Sequence, residues 1–340
     1  MATTYDALLV VSFGGPERRE DVLPFLENVL RGRNVPRERM LEVAEHYYHF
    51  GGVSPINAQN RALIAALADD FAGAGFKLPI FFGNRNWHPL LPDTLRQMKA
   101  DGVKRAIAFF TSAFSSYSGC RQYRENIAEA QQVVGQGAPE IDKLRMFFNH
   151  PGFIEPMIER LTGALGQVPL ARRHEAQVLF SAHSIPLAMA ENCDYEAQFR
   201  EASRLVAVGV GHPNWRLVYQ SRSGPPTQPW LEPDILTTID QLAQRGITKD
   251  IVVVPIGFIS DHMEVIYDLD DEAKRKATEL GLNFVRAGTV GAHPRFVRMI
   301  RELVVERMSD NPARPALGTL GPSHDVCSAD CCRYEPRRPV

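Results

Sequence analysis

The sequence lacks the features that define several common classes of protein. No stretch approaches the roughly 18 consecutive apolar residues of a membrane-spanning helix, and a net charge of -2 over 340 residues provides no basic surface for nucleic acid. Neither a G-x-G-x-x-G motif nor a P-loop is present. Residues 1–15 have no basic region ahead of their apolar stretch, unlike a signal peptide. These absences predict a cytoplasmic globular protein without a transmembrane segment or a nucleic-acid partner.

Cysteine is scarce and unevenly placed. The chain has five cysteines, and Cys327, Cys331 and Cys332 lie within its last 14 residues. Disulfides are rare in the cytosol, and this tail has no apolar periodicity with which to build a core. Three thiols in such a tail indicate a metal ion or a cluster.

Apolar runs typical of buried strands alternate with amphipathic helical stretches. In the first half the runs cover residues 6–13, 78–83 and 103–110. This alternation predicts an α/β fold with parallel, doubly wound sheets.

The second half of the sequence repeats the first. Ile107 and Phe114 recur as Ile251 and Phe258 at a shift of 144, and the segment 9–16 aligns with 179–186 at a shift of 170. We therefore expect an internal duplication into two Rossmann-like lobes. The predicted boundaries are 1–150 for the first lobe, 151–312 for the second and 313–340 for the cysteine-containing tail.

Residues 260–272, SDHMEVIYDLDDE, follow the apolar run 251–259 and are predicted to open a helix. Ser260 or Asp261 is the expected cap, in a D-x-x-E capping box, and Gly281 the expected end. One face carries an apolar stripe: Ile266, Leu269, Ala273, Ala277 and Leu280.

Glu264, Asp268 and Glu272 follow one another at intervals of four on the other face of this helix. Like charges at that spacing repel each other, and a divalent cation would remove the repulsion. The alternative is a solvated acidic face. Because the helix starts at the carboxyl end of a strand, where open α/β sheets bind ligands, the cation-binding interpretation gains support.

His183 lies just past another strand, in FSAHSIP. A single histidine is more often structural, but His183 is expected to meet His262 and Glu264 from the neighbouring strand end. A nitrogen base facing a carboxylate across a cleft is suited to removing protons while a metal ion replaces them.

Several motifs together resemble the ferrochelatase family almost from end to end. They are SFGGPE, GGVSPIN (residues 51–57), FFGNRNWHP (residues 81–89), FSAHSIP and SDHMEVIYDLD. The resemblance implies a two-lobed chelatase fold that inserts Fe²⁺ into a porphyrin and releases two protons, in haem biosynthesis. It implies His183 and Glu264 as the central catalytic and metal-binding pair, and Asp268 and Glu272 as further metal ligands. Ser54, Tyr47 and Tyr123 would bind the porphyrin propionates.

Some ferrochelatases carry a [2Fe–2S] cluster, which implies Cys120, Cys327, Cys331 and Cys332 as its ligands here. Free thiols or a zinc-binding tail are the alternatives. Cys193 is the fifth cysteine, with no role assigned to it. This sequence departs from the family pattern at Phe13, where some bacterial members have a metal-binding tyrosine. It also departs at His46 and His49, where relatives carry arginine.

The charged stretch between Pro24 and Gly51 differs from the apolar membrane lip of animal ferrochelatases. A member without that lip resembles the actinobacterial type, which implies coproporphyrin III as the substrate. We expect the enzyme to be a monomer. Protoporphyrin IX, or Co²⁺ or Ni²⁺ insertion into a related ring, is the first alternative. A non-catalytic porphyrin carrier or an iron–sulfur sensor is an alternative from another class.

Overall fold

The computed structural model describes residues 4–32, 35–224 and 227–334, which form two lobes around two parallel four-stranded sheets. The first sheet contains β1 (Ala7–Ser12), β2 (Ile80–Asn84), β3 (Arg105–Phe110) and β4 (Glu140–Lys143), and the second contains β5 (Gln177–His183), β6 (Trp215–Gln220), β7 (Asp250–Val254) and β8 (Asn283–Arg286). The helices are α1 (Val22–Val29), α2 (Arg37–His49), α3 (Ile56–Gly73), α4 (Leu91–Ala100), α5 (Gln122–Val134), α6 (Pro151–Gly166), α7 (Leu187–Ala190), α8 (Tyr195–Val210), α9 (Ile235–Gln244), α10 (Met263–Val265), α11 (Lys274–Glu279) and α12 (Pro294–Met308).

The two sheets have the same topology. Their strand orders are β2-β1-β3-β4 and β6-β5-β7-β8, and every strand pairing is parallel. The sequence repeats fall on equivalent strands, because Leu9 of β1 matches Leu179 of β5, and Ile107 of β3 matches Ile251 of β7. The predicted α/β fold with two duplicated lobes is confirmed.

The central strands are apolar throughout because helices cover both of their faces. In β1, Leu8 and Val10 point into a core that continues into the second lobe. Leu9 and Val11 point the other way, towards α4 and α5. The second sheet has the same arrangement, with its outer face covered by α9 and by the helix that follows β7.

A shared core joins the two lobes. Phe109 of the first sheet and Phe180 of the second belong to one apolar cluster, and α12 of the second lobe packs on α3 of the first. The predicted domain boundary between residues 150 and 151 falls where α6 begins. This domain boundary stays a prediction, because residues on both sides of it belong to one apolar core.

The tail after α12 runs back to the first lobe. The Asn149 side chain donates to the carbonyls of Leu317 and Gly321, at 3.2 and 2.8 Å. Arg121 donates to the carbonyls of Ala329 and Cys331, at 2.8 and 3.2 Å. The last six residues of the predicted tail 313–340 lie outside the described residues.

The apolar run 251–259 is not all strand, because β7 ends at Val254, before Pro255. Proline has no N–H to donate to the sheet, and the segment 255–262 forms the loop that leads to the next helix. In the described ranges, no helix is both long and apolar enough to cross a membrane.

Candidate active site

The candidate site lies where the strands of the second sheet end. His183 is the last residue of β5 and pairs with Gln220, the last residue of β6. The loop after β7 passes close beside them, because the Gly257 N–H donates to the Ser181 carbonyl at 3.0 Å. A Cβ at Gly257 would lie 2.6 Å from the Cβ of Ala182. Glycine is therefore required for the β7 loop to approach the end of β5 this closely.

The helix after β7 carries the acidic residues. This acidic helix, defined as residues 263–279, consists of α10, a π-helical segment (Ile266–Ala273) and α11. The predicted capping box is wrong. The helix begins at Met263, and its N-cap is His262 in an extended conformation without a side-chain hydrogen bond. Asp261 instead accepts a hydrogen bond from Arg286 at 3.1 Å.

The apolar face of the acidic helix also differs from the prediction. Val265, Leu269, Ala273 and Ala277 are fully buried, whereas Ile266 is partly exposed and Leu280 is 39% exposed. The π-helical segment has more residues per turn than an α-helix, so the buried face does not keep the regular α-helical spacing. Gly281, with φ of 70°, follows the end of the helix as predicted.

His183 and Glu264 face each other. The Nε2 atom of His183 lies 3.5 Å from a carboxylate oxygen of Glu264, and the Nδ1 atom of His262 lies 3.7 Å from the other oxygen. The Nδ1 atom of His183 contacts the Ser184 carbonyl, and the buried Tyr195 hydroxyl donates to the His183 carbonyl at 2.9 Å. The Glu264 side chain is 49% exposed and that of His183 30% exposed, so both remain accessible to a ligand.

Each residue of this pair shifts the pKa of the other. Burial alone would lower the pKa of His183, but Glu264 and the Ser184 carbonyl outweigh it and raise the pKa from 6.5 to about 9. Burial would raise the pKa of Glu264, but the charge and contact of His183, and the charge of His262, lower it from 4.5 to about 2. At neutral pH the pair is therefore an imidazolium and a carboxylate.

Asp268, one turn further along the acidic helix, is held by the end of β6. The Ser221 hydroxyl donates to the Asp268 carboxylate, and the Gln220 amide donates both to that carboxylate at 3.3 Å and to the Glu264 carbonyl at 3.0 Å. Burial raises the pKa of Asp268 from 3.8 to about 7, although the Ser221 hydrogen bond opposes the rise. Burial also raises the pKa of Glu272. Both acids therefore keep a proton to a higher pH than a solvated carboxyl group does.

The backbone of Ser221 is strained. Its φ is 61°, in the left-handed region that few residues other than glycine adopt. Such strain is often found at functional sites. Neither Gln220 nor Ser221 was predicted, although Gln220 ends β6 and Ser221 follows it, just as His183 ends β5.

The first lobe contributes the opposite side of the cleft. Burial and the charge of Glu264 both raise the pKa of Tyr47, which places that side chain near the His183–Glu264 pair. Ser54 is buried beside Gly15. Tyr123 is only 5% exposed, and the Arg85 guanidinium lies 4.6 Å above its ring. Phe13 is 38% exposed and packs against Phe25.

Side chains from both lobes meet at one edge of the cleft. The His46 ring of α2 stacks on the Tyr267 ring of the acidic helix at 3.8 Å, and His49 contacts Asp271 at 2.9 Å. An open groove of about 480 Å³ borders these contacts, and its lining is mostly polar: Arg19, Glu45, His46, Tyr48, His49, Tyr267, Asp271 and Arg275. The groove does not include His183 or Glu264.

The four predicted cluster cysteines come together on the first lobe. The Cys120 thiol contacts those of Cys327 and Cys332, and the Cys331 and Cys332 sulfurs are 3.7 Å apart. His324, absent from the predicted set, lies with its Nε2 atom 3.4 Å from the Cys327 sulfur. The charges of Cys331 and Cys120 contribute to raising the pKa of Cys193, so this fifth thiol is also nearby.

Comparison with known proteins gives one family across the chain. The family model described as Ferrochelatase matches residues 5–308. A ferrochelatase of Rhodopirellula baltica is 62% identical over 335 residues, covering 98% of this chain and 95% of that protein. A coproporphyrin III ferrochelatase of Streptomyces coelicolor is 51% identical over 362 residues, covering 100% and 96%.

Solved structures show the same architecture at much lower identity. SirB of Bacillus subtilis with Fe³⁺ superposes with a TM-score of 0.57 at 14% identity, covering 90% of this chain and 97% of that one. The cobalt complex of the sirohydrochlorin chelatase SirB gives a TM-score of 0.51 at 11% identity, covering 90% and 96%. At this identity the likeness concerns the fold alone.

Two duplicated α/β lobes of this topology form the chelatase fold. The match over residues 5–308 and the 62% identity establish that the chain belongs to the ferrochelatase family. It is an enzyme of haem biosynthesis that inserts iron into a porphyrin.

Proposed function

We propose that the chain inserts Fe²⁺ into coproporphyrin III, giving coprohaem and two protons. Relatives from Streptomyces coelicolor and Nocardia farcinica that carry this name are each 51% identical to it over nearly their whole length. The groove at the cleft edge is consistent with the proposal, because its lining is mostly polar, with Arg19 and Arg275 beside the acidic residues Glu45 and Asp271. Coproporphyrin has four propionates and protoporphyrin has two, so a polar rather than an apolar edge favours the former.

The observation that carries the chemistry is the His183–Glu264 contact at 3.5 Å. Glu264 is ionised and half-exposed, so it can receive iron. Iron bound there cancels the charge that keeps the pKa of His183 high. Burial then dominates and lowers that pKa, so His183 releases its proton. The neutral imidazole accepts one pyrrole proton as iron enters the ring, passes it to the acidic helix, and then accepts the second.

The acidic helix supplies a route for the exchange. Asp268 has a pKa near neutrality, and Glu272 follows four residues later on the same helix. We propose that these two carboxylates, with His183 and Glu264, are the metal-binding residues along which iron moves inward and protons move outward. Gln220 and Ser221 hold Asp268 in position for this transfer.

Ser54, Tyr47 and Tyr123 are proposed propionate contacts. Burial and the charge of Glu264 both raise the pKa of Tyr47, so its hydroxyl group faces the cleft. Ser54 lies in the GGVSPIN segment, next to the glycine turn after β1. Tyr123 has the weakest support, because its ring is buried below Arg85.

We also propose a [2Fe–2S] cluster held by Cys120, Cys327, Cys331 and Cys332. Four thiolates satisfy such a cluster, and these four thiols converge although they come from distant parts of the chain. Cys120 and Cys332 are buried, which protects a bound cluster from solvent. The cluster would supply a redox-active iron–sulfur centre close to where the tail docks on the first lobe.

We propose a cytoplasmic monomer. The cytosol keeps thiols reduced, and the five cysteines are all free thiols in the structure. Size-exclusion chromatography with light scattering tests the monomeric state. Cell fractionation tests the cytoplasmic location.

An anaerobic assay tests the substrate. Fe²⁺ is offered with coproporphyrin III and with protoporphyrin IX in parallel, and product is followed by its visible absorption. A higher kcat/KM for coproporphyrin III is expected. Equal or higher kcat/KM for protoporphyrin IX overturns the substrate proposal, whereas binding without product overturns the catalytic one. Co²⁺ and Ni²⁺ are run as alternative metals.

A further inference from the structure

The cysteine site contains five close donors, one more than a four-cysteine cluster uses. They differ in depth. Cys120 and Cys332 are only 2% and 5% exposed, whereas His324 is exposed and Cys327 and Cys331 are partly exposed. The outer three residues can therefore be reached from solvent without opening the inner part of the site.

The outer residues have the geometry of a single-ion site. Their ligand atoms, His324 Nε2 and the sulfurs of Cys327 and Cys331, all lie within 4.8 Å of one another. The His324 Nε2 atom is 3.4 Å from the Cys327 sulfur and 3.7 Å from the Cys331 sulfur. Zinc bonds of about 2.3 Å to sulfur and about 2.0 Å to nitrogen give a tetrahedral N···S edge of about 3.5 Å. The observed separations lie on either side of that value.

The backbone around His324 is fixed by contacts that do not involve the thiols. Arg314 donates to the Ser323 carbonyl at 2.7 Å and pairs with Asp325 at 3.0 Å. Lys143 donates to the His324 carbonyl at 3.4 Å. These contacts place the His324 backbone beside the two cysteines. The spacing H-x2-C-x3-C is also close to that of structural zinc ligands.

We propose that His324, Cys327 and Cys331 form a second metal site, which binds one zinc ion or a similar borderline divalent cation. Water completes the tetrahedron. The site itself does not depend on the cluster proposed above. The two occupants exclude each other, since both use Cys327 and Cys331, and this exclusion rests on that proposal. A divalent ion in the outer site would therefore block cluster assembly.

Cobalt(II) is the probe for this site. The full-length protein is stripped anaerobically of iron and zinc in the presence of reductant and titrated with Co²⁺, then with Zn²⁺ as competitor. Tetrahedral d–d bands and thiolate-to-cobalt charge transfer are expected at one equivalent, and Zn²⁺ should remove both. The charge-transfer band requires sulfur ligands, so it distinguishes this site from the carboxylates of the cleft.

Substitutions distinguish binding of a single divalent ion from binding of the cluster. His324→Ala should weaken Co²⁺ binding by roughly 100-fold, since loss of even a supporting residue costs 10- to 100-fold, and should keep the visible bands of the cluster. Cys120→Ser should lose the cluster and keep the Co²⁺ spectrum. His324→Cys should restore binding with stronger charge transfer, which also shows that the substituted protein folds.

Results that contradict the zinc site differ from the result that contradicts the cluster. If His324→Ala binds Co²⁺ as tightly as the unmodified protein, or if Cys120→Ser loses the Co²⁺ spectrum, the proposed ligand set is wrong. If the unmodified protein binds Co²⁺ as described but never shows cluster bands, the cluster proposal fails and the single-ion site stands.

Discussion

The imidazole of His183 and the carboxylate of Glu264 approach to 3.5 Å from adjacent strand ends and carry opposite charges at neutral pH. Each group keeps the other ionised. In the proposed mechanism, the base that removes pyrrole protons is therefore protonated in the resting enzyme, and it becomes available when the charge of Glu264 is neutralised. Iron is the cation that the reaction provides for this purpose.

The first prediction concerns the charge of His183. Glu264→Gln removes the carboxylate that raises the pKa of His183 to about 9. Burial then dominates, so the pKa should fall below the ordinary value of 6.5. NMR titration of the histidine rings measures it, with His183→Gln used to assign the resonance.

The same coupling has a consequence for stability. The folded-state pKa of His183 is above its ordinary value, so its contribution to stability is complete below pH 6.5 and is lost as the pH rises through about 9. Denaturation midpoints across that window should show this loss in the unmodified protein and not in Glu264→Gln. An unchanged pKa in the variant would mean that Glu264 does not control His183.

The second prediction concerns Ser221. Its hydroxyl lowers the pKa of Asp268, so Ser221→Ala should raise that pKa above its value of about 7. Iron binds the ionised carboxylate, so the acid limb of the pH profile of kcat/KM for Fe²⁺ should move to higher pH. Ser223→Ala, an exposed change in the same loop, is the matched control. A profile that coincides with the control would remove Ser221 from the iron route.

The strand ends of the candidate site could be predicted because they follow central strands. Central strands are buried on both faces and read as continuous apolar runs, so β1, β3, β5 and β7 were predicted, and His183 and Glu264 with them. The edge strand β6, WRLVYQ, has charged and polar residues because it is less completely covered. It was missed, and Gln220 and Ser221 were missed with it.

Contacts between residues far apart in the chain could not be predicted from local sequence patterns. Tyr195 donates to the His183 carbonyl from the start of α8, and nothing in its neighbourhood identifies that partner. The helix start was wrong because Asp261 pairs with Arg286, 25 residues later, and this tertiary contact replaces the local cap. His324 had a signal in the H-x2-C-x3-C spacing, but only the fold shows that its ring faces the thiols.

The third prediction separates binding from chemistry. His183→Ala removes the proton acceptor and leaves the cleft walls intact, so it should abolish turnover and leave the affinity for coproporphyrin III within a few-fold of the unmodified enzyme. Quenching of porphyrin fluorescence measures binding, and product absorption measures turnover. Near-normal turnover in this variant would refute the role of His183.

The fourth prediction concerns the cluster. The purified protein should have the visible absorption of a [2Fe–2S] centre, and Cys120→Ser should be colourless. Cys193→Ser is the control, because this nearby thiol donates its hydrogen bond to the Met189 carbonyl at 3.2 Å instead of belonging to the ligand set. Loss of colour in Cys193→Ser with retention in Cys120→Ser would reverse the assignment.

The fifth prediction is that the tail stays docked without a cluster. Arg145 and Glu306 form a buried ion pair at 2.7 Å, with side chains 1% and 6% exposed. Arg145 also donates to the Pro315 carbonyl at 3.0 Å. Removing one member of a buried pair leaves an uncompensated charge, so Arg145→Ala should destabilise the protein by about 3–5 kcal/mol and speed amide exchange at Leu317.

Arg314→Ala is a comparison for Arg145→Ala. Arg314 contacts the same Glu306 carboxylate at 3.2 Å, but its side chain is 33% exposed, so losing this ion pair should cost less than losing the buried one. Cys120→Ser should exchange at Leu317 as slowly as the unmodified protein, because Asn149 accepts that N–H at 2.8 Å without any thiol. Rapid exchange at Leu317 in Cys120→Ser would show instead that the cluster holds the tail in place.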